Sequence, residues 1–208
     1  MMKMETELQI EQEIEIPTLK TSIPPNFLKL LIECEDDYLD FLQKKNYNIF
    51  LLDQFPSKLK ENDERLKLLD SDFFRLKQEK KYLDFLTKLF KDNESKVYIS
   101  GLNKSFKDLD FYIEKLERFD KIDQYIILNL YKKFQISDAY FIDNIILFNF
   151  FIKGILREAI SSNLYFDKLE ICLFDGFDMC LPLCFKEKET LEKYSNTALQ
   201  FGLYIRKK

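Results

Sequence analysis

Between Ser137 and Ser161 the chain reads SDAYFIDNIILFNFFIKGILREAIS, its densest apolar run. A stretch of this kind has few possible fates. Placed on one helix, Phe141, Phe148, Phe151 and Ile155 line one face, and Ile142, Ile145, Ile152 and Leu156 line the next. Asp143, Lys153 and Arg157 fall on the opposite stripe, together with Ile146 and Phe150. A helix that is apolar nearly all round is either enclosed by protein or spans a membrane. Spanning takes about 18 or more consecutive apolar residues, and Asp143, Asn144, Asn149, Lys153 and Arg157 interrupt the run. The expectation is a buried central helix that Ser137 caps and that stops at Ser161, Ser162 and Asn163. Asn149, set among apolar residues, then needs a hydrogen-bond partner.

Beyond this helix the apolar period changes to two. Leu169, Ile171 and Leu173 alternate with Glu170, Cys172 and Phe174, and Met179, Leu181 and Leu183 alternate with Asp178, Cys180, Pro182 and Cys184. Asp175-Gly176 between them is a hairpin signal. A three-residue loop with Gly176 left-handed pairs Leu173 with Phe177 and Ile171 with Met179, gathering the apolar residues on one face. Pro182 lacks an N–H, which points to an edge strand. Lys186–Tyr194 reads as a short charged helix, and Leu199, Phe201, Leu203 and Ile205 as a last strand.

Upstream the pattern is mainly helical. Residues 1–20 are acidic and read as a flexible tail. Phe27, Leu30, Leu31, Cys34, Tyr38, Phe41 and Leu42 recur at helical spacing over Asn26–Lys44, and Asn48–Leu52 is a candidate strand. A helical pattern runs from Asp63, with Ser71 placed to cap a second helix through Phe90. Lys96–Ser100 reads as a strand closed by Gly101, and a helix over 105–119 follows a capping-box-like Ser105-x-x-Asp108. A further helix from Asp123 places Ile126, Ile127, Leu130, Tyr131 and Phe134 inside. YLDFLQK at Tyr38–Lys44 returns as YLDFLTK at Tyr82–Lys88, each copy ahead of a candidate strand; no third copy supports a repeat array. The resulting fold class is α+β: a mostly helical N-terminal two-thirds with a central buried helix, then a small C-terminal β-β-α-β unit. Residues 21–208 form a single domain, with a candidate sub-boundary near residue 162.

Composition limits the chemistry. The 208 residues carry a net charge of −4 and contain no histidine. The commonest general base, the Ser-His and Cys-His pairs and His-ligated metals are therefore absent. Cys34, Cys172, Cys180 and Cys184 form no C-x-x-C pair. Cys172, Cys180 and Cys184 share one face of the expected hairpin, where small buried hydrophobes are the favoured reading over a soft-metal or redox site. The basic clusters, Lys77, Lys80 and Lys81, and Arg206–Lys208, are short, so no nucleic-acid track is expected. The acidic N-terminus lacks a signal-peptide core, and a cytoplasmic location with reduced thiols is expected.

Two functional readings follow. Glu33, Glu35, Asp36, Asp37 and Asp40 crowd one segment without a basic residue among them. Such a segment is a solvated helix face or a patch that meets a basic partner. The preferred reading is a non-catalytic protein-binding module, such as an inhibitor or immunity protein that masks a basic surface of a toxin or enzyme, with no cofactor, no metal and no membrane contact. The alternative starts from Asp108-Leu-Asp110 behind a strand and Gly101. It resembles the nucleotidyltransferase signature, which implies a Mg²⁺-dependent enzyme using Asp108 and Asp110. Leu102 stands where that family has Ser, and the spacer is short. On a helix over 105–119 the two carboxylates point about 200° apart.

Overall fold

Antiparallel strand pairing draws both ends of the chain into one sheet. The computed structural model describes residues 20–21, 25, 38–69, 71–102, 119–133 and 135–207. In chain order these hold β1 (Lys20–Thr21), α1 (Tyr38–Lys44), β2 (Asn48–Asp53), α2 (Leu66–Leu69), α3 (Asp72–Asp92), β3 (Val97–Ser100), α4 (Lys121–Lys133), β4 (Ala139–Ile142), α5 (Ile145–Leu156), β5 (Asn163–Phe166), β6 (Ile171–Leu173), β7 (Leu181–Phe185), α6 (Lys188–Gln200) and β8 (Tyr204–Lys207). The eight strands lie in the order β1-β4-β3-β5-β6-β7-β2-β8. Every neighbouring pair is antiparallel.

This corrects the expected fold class. The protein is α+β, but its sheet is neither small nor C-terminal: β1 to β4 precede residue 143, and β2 lies between β7 and β8. The expected single helix over Ser137–Ser161 is two elements. Ala139–Ile142 satisfies a strand period as well as a helical one, and strand pairing with β3 and β1 selects the strand. Asp143 and Asn144 punctuate the run. Asn144 caps α5, its side-chain oxygen accepting the N–H groups of Ile146 at 2.8 Å and Leu147 at 3.2 Å. Ser137 does not cap; its hydroxyl donates to the Ala139 carbonyl at 2.9 Å.

The alternation of each strand sorts residues onto two faces. Val97, Ile99, Tyr140, Ile142, Leu164, Phe166, Ile171, Leu173, Leu181, Leu183 and Phe185 face the larger core. Helices α3, α4, α5 and α6 close this side through Phe85, Leu89, Ile126, Leu130, Tyr194 and eight of the twelve residues of α5, while Ile145 and Ile146 at its start are exposed. Phe148 is central and fully buried. It stacks on Phe90 at 4.5 Å between ring centroids and meets Phe166 edge-on at 6.2 Å. Asn149 accepts a hydrogen bond from Thr87 of α3 at 3.2 Å, as its position in the run requires. The opposite face presents Ile49, Tyr98, Tyr165, Cys172 and Cys184, packed with Leu39, Phe41 and Leu42 of α1 and with Tyr47. The two YLDFL copies are both helical and both precede a strand, yet they cover opposite faces: Tyr82 is fully buried and Tyr38 is exposed.

The expected hairpin has a different register. Leu173 pairs with Leu183, Cys172 with Cys184 and Ile171 with Phe185, leaving a seven-residue connection over 174–180. Pro182 does not mark a sheet edge, because β7 is interior. Its carbonyl accepts the Phe174 N–H at 3.0 Å, but the return bond of that pair needs the N–H that proline lacks. The β6–β7 ladder ends at this point. Toward β2, Pro182 sits opposite Leu51 in the wide register where no N–H is required. Gly176 is not left-handed; the left-handed residues of this loop are Asp178 and Met179, with φ of 53° and 59°. Glycine is demanded by closeness instead, since a Cβ at 176 would lie 2.1 Å from the Cys180 carbonyl oxygen. Leu199 and Phe201 end helix α6 rather than open the last strand.

Candidate functional site

Helix α4 turns Asp123 inward beside its core residues and leaves apolar side chains exposed on its other side, between Lys121 and Lys132. Asp120 starts it by accepting the Asp123 N–H at 3.0 Å. Ile126, Ile127 and Leu130 then turn into the core. Ile122, Tyr125, Leu128 and Tyr131 are exposed, and Ile136, just beyond, is 72% exposed. Tyr131 thus lies outside, contrary to its expected place in the core. The first turns of α3 also carry exposed Phe73 and Leu76. Isolated exposed apolar residues are ordinary, but four on the outer side of one helix make a candidate contact surface. The signal was present in the sequence: α4 has more apolar positions than one helix face can bury.

Ion pairs tie α5 to α4 on one side and to α3 on the other. Lys153 donates to Asp123 at 2.7 Å and to Asp120 at 3.1 Å. Arg157 grips Glu79 through Nε and Nη2, both at 2.7 Å, and lies over the Phe119 ring. These two cations, placed on the polar stripe of α5 by the helical reading, are half-buried. Burial holds the Asp123 carboxyl above the usual aspartate range despite its lysine partner. Burial draws Lys153 downward, and its two carboxylate partners outweigh that, leaving it above the ordinary lysine range. The network joins three helices and is fully partnered, which is the signature of a structural clamp.

Most of the residues singled out from sequence lie outside the described ones. Asp40 is exposed on α1, while Glu33, Glu35, Asp36 and Asp37 lie outside the described residues. Asp108 and Asp110, with the helix expected over 105–119, also lie outside them. Strand β3 and a left-handed Gly101, with φ of 88°, stand where the sequence placed them. The three cysteines separate. Cys172 and Cys184 face each other across β6 and β7, and both are buried free thiols. Burial pushes Cys184 up to about 12 and raises Cys172 well above the ordinary thiol range. Cys180 lies apart, 3.6 Å from the Arg206 guanidinium, which is itself bound to Asp53 with its Nε at 2.9 Å. Burial and the Asp53 charge together outweigh that arginine and push Cys180 up to about 11.

Sequence reasoning missed a second feature at the end of α5. The helix closes with a left-handed Glu158, φ 53°, while Glu158 N–H donates to Ile155 and Ala159 N–H to Gly154. This is the hydrogen-bond pattern of a Schellman cap, in which glycine usually takes the left-handed place. The Glu158 carboxylate accepts the N–H of Asp178 at 3.1 Å. Phe177–Cys180 is itself a tight turn, closed by the Cys180 N–H on the Phe177 carbonyl at 2.9 Å, with both central residues left-handed. Tyr82 donates to the Met179 carbonyl from below. Between the α5 cap and this turn is a cavity of about 290 Å³.

No family model, curated protein or solved structure matches the chain. Among the described residues, no helix is long and apolar enough to cross a membrane.

Proposed function

We propose that the protein is a non-catalytic protein-binding module, of the inhibitor or immunity kind, that masks a basic surface of a toxin or enzyme. The observation that carries this reading is the exposed row Ile122, Tyr125, Leu128 and Tyr131 on α4. Aromatic and branched apolar side chains held on a rigid helix are the usual anchors of a protein interface. The net charge of −4 and the acidic segment that ends at exposed Asp40 favour a basic partner, because complementary charge speeds encounter.

The test is affinity capture from source-cell extract, with wild type beside the triple variant I122S/Y125S/L128S. All three sites are exposed, so the variant should fold normally. The reading expects one dominant protein, bound directly when purified, whose affinity falls about a hundredfold in the variant, as loss of several anchors implies. Equal affinity of a purified partner for both proteins, or no direct binding partner, would refute it.

A further inference from the structure

The eight-stranded sheet ends at β1 on one side and at β8 on the other. β8 pairs with β2 from Tyr204 to Lys207, and among the described residues its outer edge carries no strand. An edge of this kind presents unpaired N–H and C=O groups to any extended chain that fits. Its side chains define what fits. Ile205, with Phe201 at the end of α6, borders the larger core and is only half-buried. β8 holds Arg206 and Lys207 and no acid. Residues 186–208 carry five Lys, one Arg and three Glu, a net +3. Two β8 strands side by side would bring like charges together, which disfavours pairing of this edge with itself. An acidic strand with one apolar side is the complement.

The chain itself contains such a sequence, in residues 1–19, which lie outside the described ones. Leu8, Ile10, Ile14 and Ile16 alternate with Gln9, Glu11, Glu13 and Glu15, the period of an extended chain with one apolar side. Residues 1–16 hold five Glu and one Lys, a net −4. The edge of the same chain is out of reach. Helices α3 to α6 fill one face of the sheet and α1 packs on the other, so the sheet is not rolled onto itself. β1 and β8 are seven strand spacings apart, about 34 Å along the sheet. Residue 16 is tethered four residues from Lys20 of β1, a reach of about 14 Å. We propose that residues 8–16 of one copy add to the open edge of β8 in a second copy and extend its sheet. The apolar side chains then lie on the Ile205 side and the glutamates on the Arg206 side. Asp53 occupies Nε and Nη2 of Arg206, and the guanidinium has further donors for a second carboxylate. The contact uses neither the α4 row nor a foreign partner.

The test is sedimentation velocity of the full chain over a concentration series, with hydrogen exchange read at the β8 amides. Wild type should associate as concentration rises, and the β8 amides that point away from β2 should become protected in step. Two variants change the donor segment alone, I10S/I14S and E11K/E13K/E15K. Association should weaken about a hundredfold in the first, as loss of two buried isoleucines implies, and about tenfold in the second, where the charge is reversed. I122S/Y125S/L128S should associate like wild type, so this contact and the α4 interface can fail separately. A wild type that stays a single chain at every concentration would overturn the proposal, whether or not β8 is protected. So would association unchanged in either donor variant, association without protection of β8, or association lost in the α4 variant.

Discussion

The Glu158 carboxylate lies 3.1 Å from the backbone nitrogen of Asp178, and both residues are left-handed, each with φ of 53°. Two conformations that disfavour ordinary side chains are joined by one hydrogen bond, which fixes the α5 cap against the 177–180 turn. A left-handed non-glycine costs about 1 kcal/mol relative to glycine. Glu158→Ala should therefore lose the bond and keep the strain, destabilising by about 1 kcal/mol. Glu158→Gly loses the bond but relieves the strain, and should be more stable than Glu158→Ala by about 1 kcal/mol. Urea denaturation of both variants checks the order; a glycine variant less stable than the alanine one contradicts it.

Phe148 sits between Phe90 of α3 and Phe166 of β5 with no solvent exposure. Truncation to Ala removes the ring and leaves a cavity, at a cost of about 3–5 kcal/mol. A change within about 0.5 kcal/mol, the range of surface sites, would remove α5 from the centre of the fold.

How far the sequence discloses this arrangement depends on the range of the interaction. Local signals hold: Ser71 caps α3 by accepting the Phe74 N–H, β2 and β3 stand where a short apolar run and the strand ahead of Gly101 placed them, and Asn149 finds its partner. The Ser137–Ser161 run misleads because Ala139–Ile142 fits both periods; the Asp143-Asn144 pair was the local cue to its break. Asn163–Phe166 becomes strand β5 by pairing with β3 and β6, although nothing local marks it. The placement of β2 between β7 and β8 joins residues far apart in sequence, such as Leu52 with Leu181 and Ile205, and no local pattern encodes it. At the candidate site, exposure of the α4 row was implicit in its surplus of apolar positions. The cavity was hidden, because its walls combine a helix cap with a loop whose register was misread.

The thiols should differ in reactivity. Cys172 and Cys184 are buried with raised pKa, and Cys180 is half-exposed. Alkylation of native protein at pH 8 followed by peptide mass spectrometry should label Cys180 before either of the other two. Denaturation without reductant should release all four cysteines of the chain for labelling. Prior labelling of Cys172 or Cys184 would contradict the sheet register that buries them.

Asp123 and Asp92 should shape stability in opposite directions as pH changes. Burial raises Asp123, so the folded state holds that proton to higher pH than the unfolded chain, whose midpoint is about 3.9. Its contribution to stability falls as pH rises from about 4 through the folded midpoint. Burial alone would raise Asp92, but hydrogen bonds from Lys88, Tyr194 and Lys193 outweigh it and lower the group. Its contribution is present above about pH 4 and is lost as pH falls through the folded midpoint. Urea titrations between pH 3 and 7 should show Asp123→Asn removing a downward slope with rising pH, and Asp92→Asn removing an upward one. The reverse assignment of slopes would contradict the clamp geometry.

The most direct measurement is the dissociation constant of a purified captured partner for wild type and for I122S/Y125S/L128S, taken across a salt series. A protein-binding module anchored on α4 and drawn to a basic partner predicts two results: affinity about a hundredfold weaker in the variant, and wild-type association that slows as salt screens the attraction. Equal dissociation constants for the two proteins, with association indifferent to salt, would contradict both the anchor and the charge.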